Sequence, residues 1–316
     1  MILVCGEALI DLFVGRPTPE GLSTEAVAGG SPFNVAIGVA RLGRPAAFLS
    51  TLSSDAFGDY LASRLAGAGV SDLYLKRSAL STTLSVVATN DEGHPAYAFY
   101  SHATADRALA PEDLPATLPA DLTAIAAGSY ALGVEPFASA IEALIRREAG
   151  RRVVSLDPNV RHPVGDVQAF RRRFEALLAH ATIVKGSEED VALFYGARDL
   201  ADVARDWLSR GPRLVVITRG ERRPLAAFGT ELIERPTPAV AVVDTVGAGD
   251  TFHAALLAHL DAHGSLTPQA ASAWTAETVT QALDFAAAAA AIVCTRRGAN
   301  PPRWDEVASF LKGAAA

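Results

Sequence analysis

Short apolar runs alternate with helical patterns along most of this chain, and this alternation limits the fold more than any other feature of the sequence. Strands are predicted at residues 2–5, 46–51, 124–128, 153–156, 182–184 and 214–218. Helices are predicted among them, at residues 33–42, 57–65, 136–147, 167–179, 188–195 and 201–209. Strands that alternate with helices predict an α/β fold, a doubly wound and mainly parallel sheet with helices on both faces.

Two segments interrupt this alternation. Residues 12–28 are extended and contain Pro17 and Pro19, and residues 82–101 alternate between apolar and polar positions across a turn at residues 90–93. Such patterns are typical of antiparallel strands. We therefore predict a single domain, residues 1–316, in which these two segments form a small inserted β-sheet that serves as a lid.

The most informative stretch for function is residues 242–257, VVDTVGAGDTFHAALL. It predicts a strand that ends at residue 245, a glycine turn at residues 247–249 and a helix opened by Asp250. Small residues let the N–H groups at a helix N-terminus approach an anion closely. A carboxylate there can take the proton of a hydroxyl that attacks a phosphoryl group. The alternative, that Asp250 is only a helix N-cap, is disfavoured by the longer pattern around it.

Residues 244–250, DTVGAGD, resemble the DTxGAGD signature of the ribokinase/PfkB family of carbohydrate kinases. The family's second signature, a glycine pair followed by an asparagine and a helix, is similar to residues 29–36, GGSPFNVA. The resemblance covers nearly the whole chain and implies a ribokinase-like three-layer fold and transfer of the ATP γ-phosphate to a sugar hydroxyl. It also implies the catalytic groups, namely Asp250 as the base and the amides of Gly247, Ala248 and Gly249 around the phosphoryl group.

The resemblance assigns substrate-binding residues as well. Asp11, in GEALIDLF, matches a sugar-binding aspartate, and Gly30 and Asn34 match positions that contact the sugar. From the residues alone, Asp11 could equally be a solvated loop aspartate and Asn34 a helix cap. Residues 156–161, LDPNVR, resemble a stretch of fructokinase-like members in which Arg161 approaches the substrate or the phosphate, because a guanidinium can bind two oxygens at once.

ATP contacts are expected, on the same resemblance, at two strand ends. Lys185 and Ser187 lie in a segment similar to the K-x-S-x-x-E of fructokinase-like relatives. Thr218 and Gly220 form a T-x-G turn of the kind that borders the nucleotide. The resemblance therefore implies ATP as cofactor, bound along the C-terminal half of the sheet.

Two cations are implied by the family likeness. Mg²⁺ is expected beside the phosphates through water, but Asp190 stands where relatives have Glu, so Glu189 is an alternative. In many members the region of Asp244 and the loop at residues 295–299 hold a monovalent cation. Pro302 falls where some relatives offer a hydroxyl, which leaves K⁺ dependence open.

The composition argues against several other classes of protein. The formal net charge is −7 and basic residues occur singly or in short groups, so no nucleic-acid partner is expected. The N-terminus lacks the basic start of a signal peptide, and the longest apolar stretch, residues 285–294, is too short to span a bilayer. Cys5 and Cys294 lie in apolar runs, as buried free thiols do. We therefore predict a cytoplasmic protein with no membrane partner.

The motifs favour a fructokinase-like substrate, but other family substrates stay open: 2-keto-3-deoxygluconate, ribose, or a nucleoside such as aminoimidazole riboside. A non-catalytic sugar or nucleotide sensor of the same fold is a further alternative. A nicotinamide-dependent sugar dehydrogenase is disfavoured because no G-x-G-x-x-G follows a strand. Family members often dimerise through their lids, and apolar lid residues here (Leu84, Val86, Tyr97 and Phe99) would permit a homodimer or closure over the sugar in a monomer.

Overall fold

A computed structural model describes residues 1–89, 95–160 and 165–314. Its strands are β1 (Ile2–Cys5), β2 (Leu9–Thr18), β3 (Gly21–Gly29), β4 (Ala46–Ser53), β5 (Leu75–Ser78), β6 (Leu84–Thr89), β7 (Pro95–Tyr100), β8 (Ala124–Gly128), β9 (Val153–Asp157), β10 (Ile183–Ser187), β11 (Leu214–Arg219), β12 (Arg222–Phe228) and β13 (Glu231–Glu234). Its helices are α1 (Ser31–Arg41), α2 (Ala56–Gly67), α3 (Phe137–Glu148), α4 (Val167–Leu177), α5 (Glu188–Tyr195), α6 (Leu200–Ser209), α7 (Ala248–Ala262), α8 (Pro268–Ser272), α9 (Ala276–Cys294) and α10 (Trp304–Ala314).

The main sheet has nine strands in the order β13-β12-β11-β10-β9-β8-β1-β4-β5. All neighbours from β11 to β5 pair in parallel, whereas β12 pairs antiparallel with both β11 and β13. The order reverses at β1, whose neighbours are β4 on one side and β8 on the other. In open α/β sheets such a reversal opens a crevice at the carboxyl ends of the strands, where ligands bind.

Helices cover both faces of this sheet. Ile2 and Val4 of β1 point into one apolar core, which contains α1, α2, α7, α9 and α10. Leu3 and Cys5 point into the other, which contains α3, α4, α5 and α6. Side chains of a strand alternate between faces, so a strand buried on both sides reads as a continuous apolar run. The predicted three-layer, doubly wound fold is confirmed.

A second sheet has the order β3-β2-β6-β7. β2 and β3 form an antiparallel hairpin, and so do β6 and β7. However, β2 pairs with β6 in parallel, so the expectation of a wholly antiparallel small sheet was wrong. The chain enters β2 after β1 and β6 after β5, and β1 and β5 run in the same direction in the main sheet, which accounts for the parallel contact.

The predicted strand before the glycine turn is also absent, since residues 242–245 form no ladder in the described structure. The amides of Val243 and Asp244 instead donate to the carbonyl of Cys294, the last residue of α9. Moreover, α7 begins at Ala248, two residues before the predicted opening at Asp250. An apolar run of the length of a strand can thus be a loop whose backbone amides are hydrogen-bonded to the end of a helix.

Helix α9 is the one described helix that is long and apolar enough to cross a membrane, and 61% of the relevant window is buried inside the protein. Its side chains include Leu283, Phe285 and Val293, which are almost fully buried. They pack against α7 and α10 in one of the two apolar cores. This burial accounts for its composition, because a helix that is covered on most sides by an apolar core is itself apolar on most sides.

Candidate active site

The carboxyl ends of the parallel strands bring the predicted site residues to one edge of the sheet. Asp157 ends β9, Ser187 ends β10, and Thr218 lies at the penultimate position of β11. The N-termini of α1 and α7 reach the same edge, and these two helices pack against each other. Groups that are far apart in the sequence therefore converge where the fold leaves a crevice.

Asp250 occupies the centre of this arrangement, on the first turn of α7, and only 8% of its surface is exposed. Its Oδ1 accepts a hydrogen bond from Ser31 Oγ at 2.6 Å, and its Oδ2 accepts one from Asn34 Nδ2 at 2.8 Å. Asn159 Nδ2 lies 3.4 Å from Oδ1. Burial raises the pKa of Asp250, although hydrogen bonds from Ser31 and Asn34 oppose the rise.

The helix N-cap of α7 is Gly247, not Asp250. Gly247 has φ of 77°, and a Cβ on this residue would lie 2.7 Å from Ala299 Cβ. Only glycine satisfies both the backbone angle and the close approach of the loop at residues 295–299. The Ala248 amide donates to Thr245 O at 3.2 Å, which closes the turn. The carboxylate of Asp250 therefore does not cap the helix, so capping does not explain its position.

The predicted substrate-binding residues lie on different elements. Gly30 is the N-cap of α1, with φ of 105°, and a Cβ there would lie 2.7 Å from Glu7 O. Asn34, one turn along α1, reaches Asp250 and does not cap the helix. Asp11 lies within β2 of the small sheet, where burial raises its pKa and a hydrogen bond from Ser85 opposes that rise. Arg161 lies outside the described residues.

Lys185 lies beneath the active-site surface. Its Nζ donates to Asp157 Oδ2 at 2.8 Å, and each side chain is only 4% exposed. Next to the pair, His253 Nε2 lies 2.7 Å from Ser155 Oγ. Burial and, to a smaller extent, the Lys185 charge lower the pKa of His253 to about 3, so the imidazole is neutral. Lys185 was predicted to contact ATP, but its ammonium group is not exposed at the surface of the site.

The candidate magnesium residues lie at the N-terminus of α5. Ser187 is its N-cap and shares a capping box with Asp190. Asp190 Oδ2 accepts from Ser187 N and Oγ, and its Oδ1 accepts from Val160 N at 2.7 Å. Glu189 is exposed. No cluster of three or more metal-binding side chains occurs among the described residues, so a metal here would need ligands from the nucleotide and water.

Two loops lie at the end of the site where the nucleotide was predicted. Thr218 Oγ1 donates to Gly186 O at 3.2 Å, and Gly220 turns the chain with φ of 59°. Asp244 Oδ2 accepts from Gly298 N at 2.8 Å, and its Oδ1 accepts from Val246 N. Asp244 thus holds the segment before α7 against the loop at residues 295–299, and its carboxylate organises backbone groups around the glycine turn.

Comparison with known proteins settles the family of this chain. The profile of the pfkB family carbohydrate kinases matches residues 1–306. The chain belongs to this family. This PfkB family member is accordingly a carbohydrate kinase, as the two signatures predicted.

Individual relatives agree with that assignment. The kinase is 38% identical to a fructokinase of Rhizobium leguminosarum bv. trifolii over 268 residues, which cover 84% of this chain and 82% of that protein. A structure of fructokinase with bound ATP from Xylella fastidiosa covers 100% of this chain and 99% of its own, with a TM-score of 0.90 and 30% identity. A fructokinase double mutant from Vibrio cholerae O395, with fructose, ADP and potassium ion bound, covers 98% of this chain and 97% of its own, with a TM-score of 0.83 and 26% identity.

Several polar residues of this PfkB kinase site were not predicted. Ser31 and Asn159 contact Asp250, and Asp157 holds Lys185. Ser129 and Asn159 have backbone φ angles of 60° and 36°, which residues other than glycine rarely adopt. Ser31 follows the glycine pair, Asp157 and Asn159 belong to the DPN sequence, and Ser129 follows the predicted strand at residues 124–128. Their positions after strands were a usable signal, but their partners lie on distant strands and helices.

Glu7 is a further buried carboxyl group at this edge, and its Oε2 has no hydrogen-bond partner among the described residues. Burial raises its pKa from 4.5 to about 8, despite neighbouring groups such as Ser129 that favour the charged form. The folded state therefore holds this proton more tightly than the unfolded chain. Its contribution to stability is complete below pH 4.5 and is lost as the pH rises through about 8.

We expect Glu7→Gln to remove part of this pH dependence. The loss of unfolding free energy between pH 5 and pH 8.5 should shrink by about 1 kcal/mol or more, because one pKa unit corresponds to about 1.4 kcal/mol. Urea unfolding at several pH values measures the effect. Glu277→Gln, on the exposed start of α9, is the matched control and should keep the wild-type slope. An unchanged slope in Glu7→Gln would show that Glu7 is not the buried proton carrier.

Proposed function

We propose that this chain phosphorylates fructose, with Asp250 as the base that accepts the proton of the attacking hydroxyl. The observation that carries the proposal is the carboxylate of Asp250, buried at the N-terminus of α7 directly after the glycine turn and hydrogen-bonded only by neutral groups of the described residues. Relatives named fructokinase support the choice of sugar.

The proton transfer follows from the position of that carboxylate. The sugar binds among Asp11, Gly30 and Asn34, and one of its hydroxyl groups replaces Ser31 or Asn34 as a donor to Asp250. The hydroxyl proton moves to an Asp250 carboxylate oxygen while the hydroxyl oxygen bonds to the γ-phosphorus. The bond from that phosphorus to the bridging oxygen breaks, and the bridging oxygen leaves with ADP. A raised pKa makes the buried carboxylate a stronger base.

The developing charge on the phosphoryl group is met by the N-terminus of α7. The first amides of a helix have no intrahelical partners, and the helix dipole is positive at this end. The amide of Ala248, one of the three predicted donors, is engaged with Thr245 O, and Gly247 and Gly249 carry no side chains that would keep a phosphoryl group from the other amides of this turn. Thr218 and Gly220 then border the nucleotide at the end of β11. Such preorganised donors are among the largest contributions to enzymatic rate.

The residues present fit a metal that arrives with the nucleotide. Mg²⁺ would neutralise charge on the phosphates, held chiefly by their oxygens, with Glu189 reached through water. Asp190 has both oxygens engaged by backbone and serine donors, so its role would be to fix the N-terminus of α5. A monovalent cation such as K⁺ would bind to carbonyl oxygens of the loop at residues 295–299, whose shape Asp244 sets through Gly298.

We further propose that the chain is one soluble, cytoplasmic domain whose second sheet is the lid. Closure of that sheet would exclude water, which would otherwise accept the phosphoryl group. Large apolar side chains on it are exposed, including Phe13 at 42%, Leu22 at 60% and Tyr100 at 63%. Phe13 and Tyr100 lie on opposite faces of this sheet, because Phe13 pairs with Val87 whereas Tyr100 pairs with Leu84. Exposed apolar side chains tend to find a partner, which supports a homodimer through the lid.

Coupled ADP release with Mg·ATP tests the function. The panel would contain fructose, ribose, 2-keto-3-deoxygluconate and aminoimidazole riboside, each with and without K⁺. We expect the highest kcat/KM with fructose. A higher value with another compound would overturn the substrate and keep the kinase, whereas binding of ATP without turnover of any compound would favour the sensor alternative.

A further inference from the structure

The buried pair formed by Lys185 and Asp157 has no evident structural need for charge. Asp157 ends β9 and Lys185 is the middle residue of the neighbouring strand β10, and only 3% of each residue is exposed. A buried ion pair is expensive to desolvate, and apolar residues of similar volume often stabilise a fold as well or better. Among the described residues, Asp157 Oδ1 also lacks a hydrogen-bond partner. The pair is therefore better explained by an effect on the neighbouring residues of the site than by a contribution to the stability of the fold.

The ammonium group of Lys185 lies directly beneath the first turn of α7. A Cβ added to Gly249 would lie 3.2 Å from Lys185 Nζ, and Gly249 immediately precedes Asp250. Asp157 of the pair, together with Ser31 and His253, lines a cavity of about 10 Å³. The cation thus contacts the turn that positions the base, and its counter-ion faces Ser31, a hydrogen-bond donor to the base.

The charges that face Asp250 come from several elements. Among the described residues, Lys185 of β10 and Asp157 of β9 are charged groups that act on it, and Asp190 of α5 acts on Lys185. His253, one turn along α7, is neutral, and the groups from α1 are the uncharged Ser31 and Asn34. Burial raises the pKa of Asp250, Lys185 lowers it and Asp157 raises it. The two members of the pair therefore act on Asp250 in opposite directions.

We infer that Lys185 and Asp157 are positioning residues for the reaction, a buried charge pair that keeps Asp250 ionised and fixes the turn before it as the hydroxyl arrives. This inference rests on the proposed role of Asp250 as the base. Lys185 supplies positive charge from below, where solvent cannot screen it. Asp157 limits that charge and holds the ammonium in place. Both side chains are buried, and they act through Asp250 and the turn before it.

The test is the pH dependence of kcat/KM for the sugar at saturating Mg·ATP, which reports the ionisation of the free base. In Lys185→Met, the acidic limb of the profile should move to higher pH by about half a unit or more. At a fixed pH on the acidic side of the limb, kcat/KM should therefore fall by roughly threefold. In the isosteric Asp157→Asn, the limb should move to lower pH. A purely structural role would reduce activity in both variants without shifting the limbs in opposite directions.

Lys76→Met is the matched control, because Lys76 pairs with Asp113 at the surface and should leave the profile unchanged. If Lys185→Met does not fold, as circular dichroism and ATP binding would reveal, Asp157→Asn alone decides. A limb that stays in place or moves to higher pH in that variant overturns the inference. Wild-type enzyme that turns over no sugar would instead overturn the proposed function, so the two failures are distinct.

Discussion

Asp250→Asn is expected to lower kcat for sugar phosphorylation by about 10³-fold, since a positioned base contributes roughly 10²–10⁴ to rate. The amide is the same size as the carboxylate but cannot accept the hydroxyl proton. It can still accept a hydrogen bond from Ser31 or Asn34, so the site should keep its shape. Steady-state ADP release measures kcat, and calorimetric titration should give a Kd for ATP within a fewfold of the wild-type value.

Asp284→Asn is the control for this substitution. Asp284 lies on α9, where it forms a partly exposed ion pair with Arg235, and its replacement makes the same change in net charge. We expect wild-type kcat from that variant. A kcat for Asp250→Asn within tenfold of wild type would show that another group, or the substrate itself, accepts the proton.

The architecture was largely predictable because parallel strands buried on both faces leave continuous apolar runs. β1 and β8 were predicted with their observed bounds, since each is fully buried. Residues 242–245 show the limit of that argument. Val242 and Val243 are at least half exposed, so an apolar run was mistaken for a buried strand. Local composition cannot reveal that the end of α9 supplies the hydrogen-bond partners.

The candidate site was predictable only in part. The resemblance pointed to Asp250 and Asn34, and the structure brings them within 2.8 Å of each other. It also pointed to Lys185, but the structure places this residue within β10, and whether it meets solvent or a buried carboxylate there depends on the neighbouring strand. Asp157 and Lys185 are 28 residues apart, and only the parallel register of β9 and β10 makes them partners.

Gly247→Ala is expected to reduce kcat by roughly 10²-fold, because a displacement of about 1 Å at a catalytic group costs on that order. The new Cβ would lie 2.7 Å from Ala299 Cβ and 2.9 Å from Ala299 Cα. The turn or the loop at residues 295–299 must therefore move, and Asp250 moves with the turn. The left-handed backbone angle of 77° adds a strain of about 1–2 kcal/mol.

Gly264→Ala separates these two effects at the opposite end of the same helix. Gly264 follows α7 with φ of 65°, but a Cβ there meets nothing within 4 Å. That variant should lose about 1 kcal/mol of stability from backbone strain and keep wild-type kcat. Urea unfolding and ADP release on both variants measure the difference. Equal kcat values in the two variants would mean that the glycine turn needs only its backbone angle, and that close contact with Ala299 does not position Asp250.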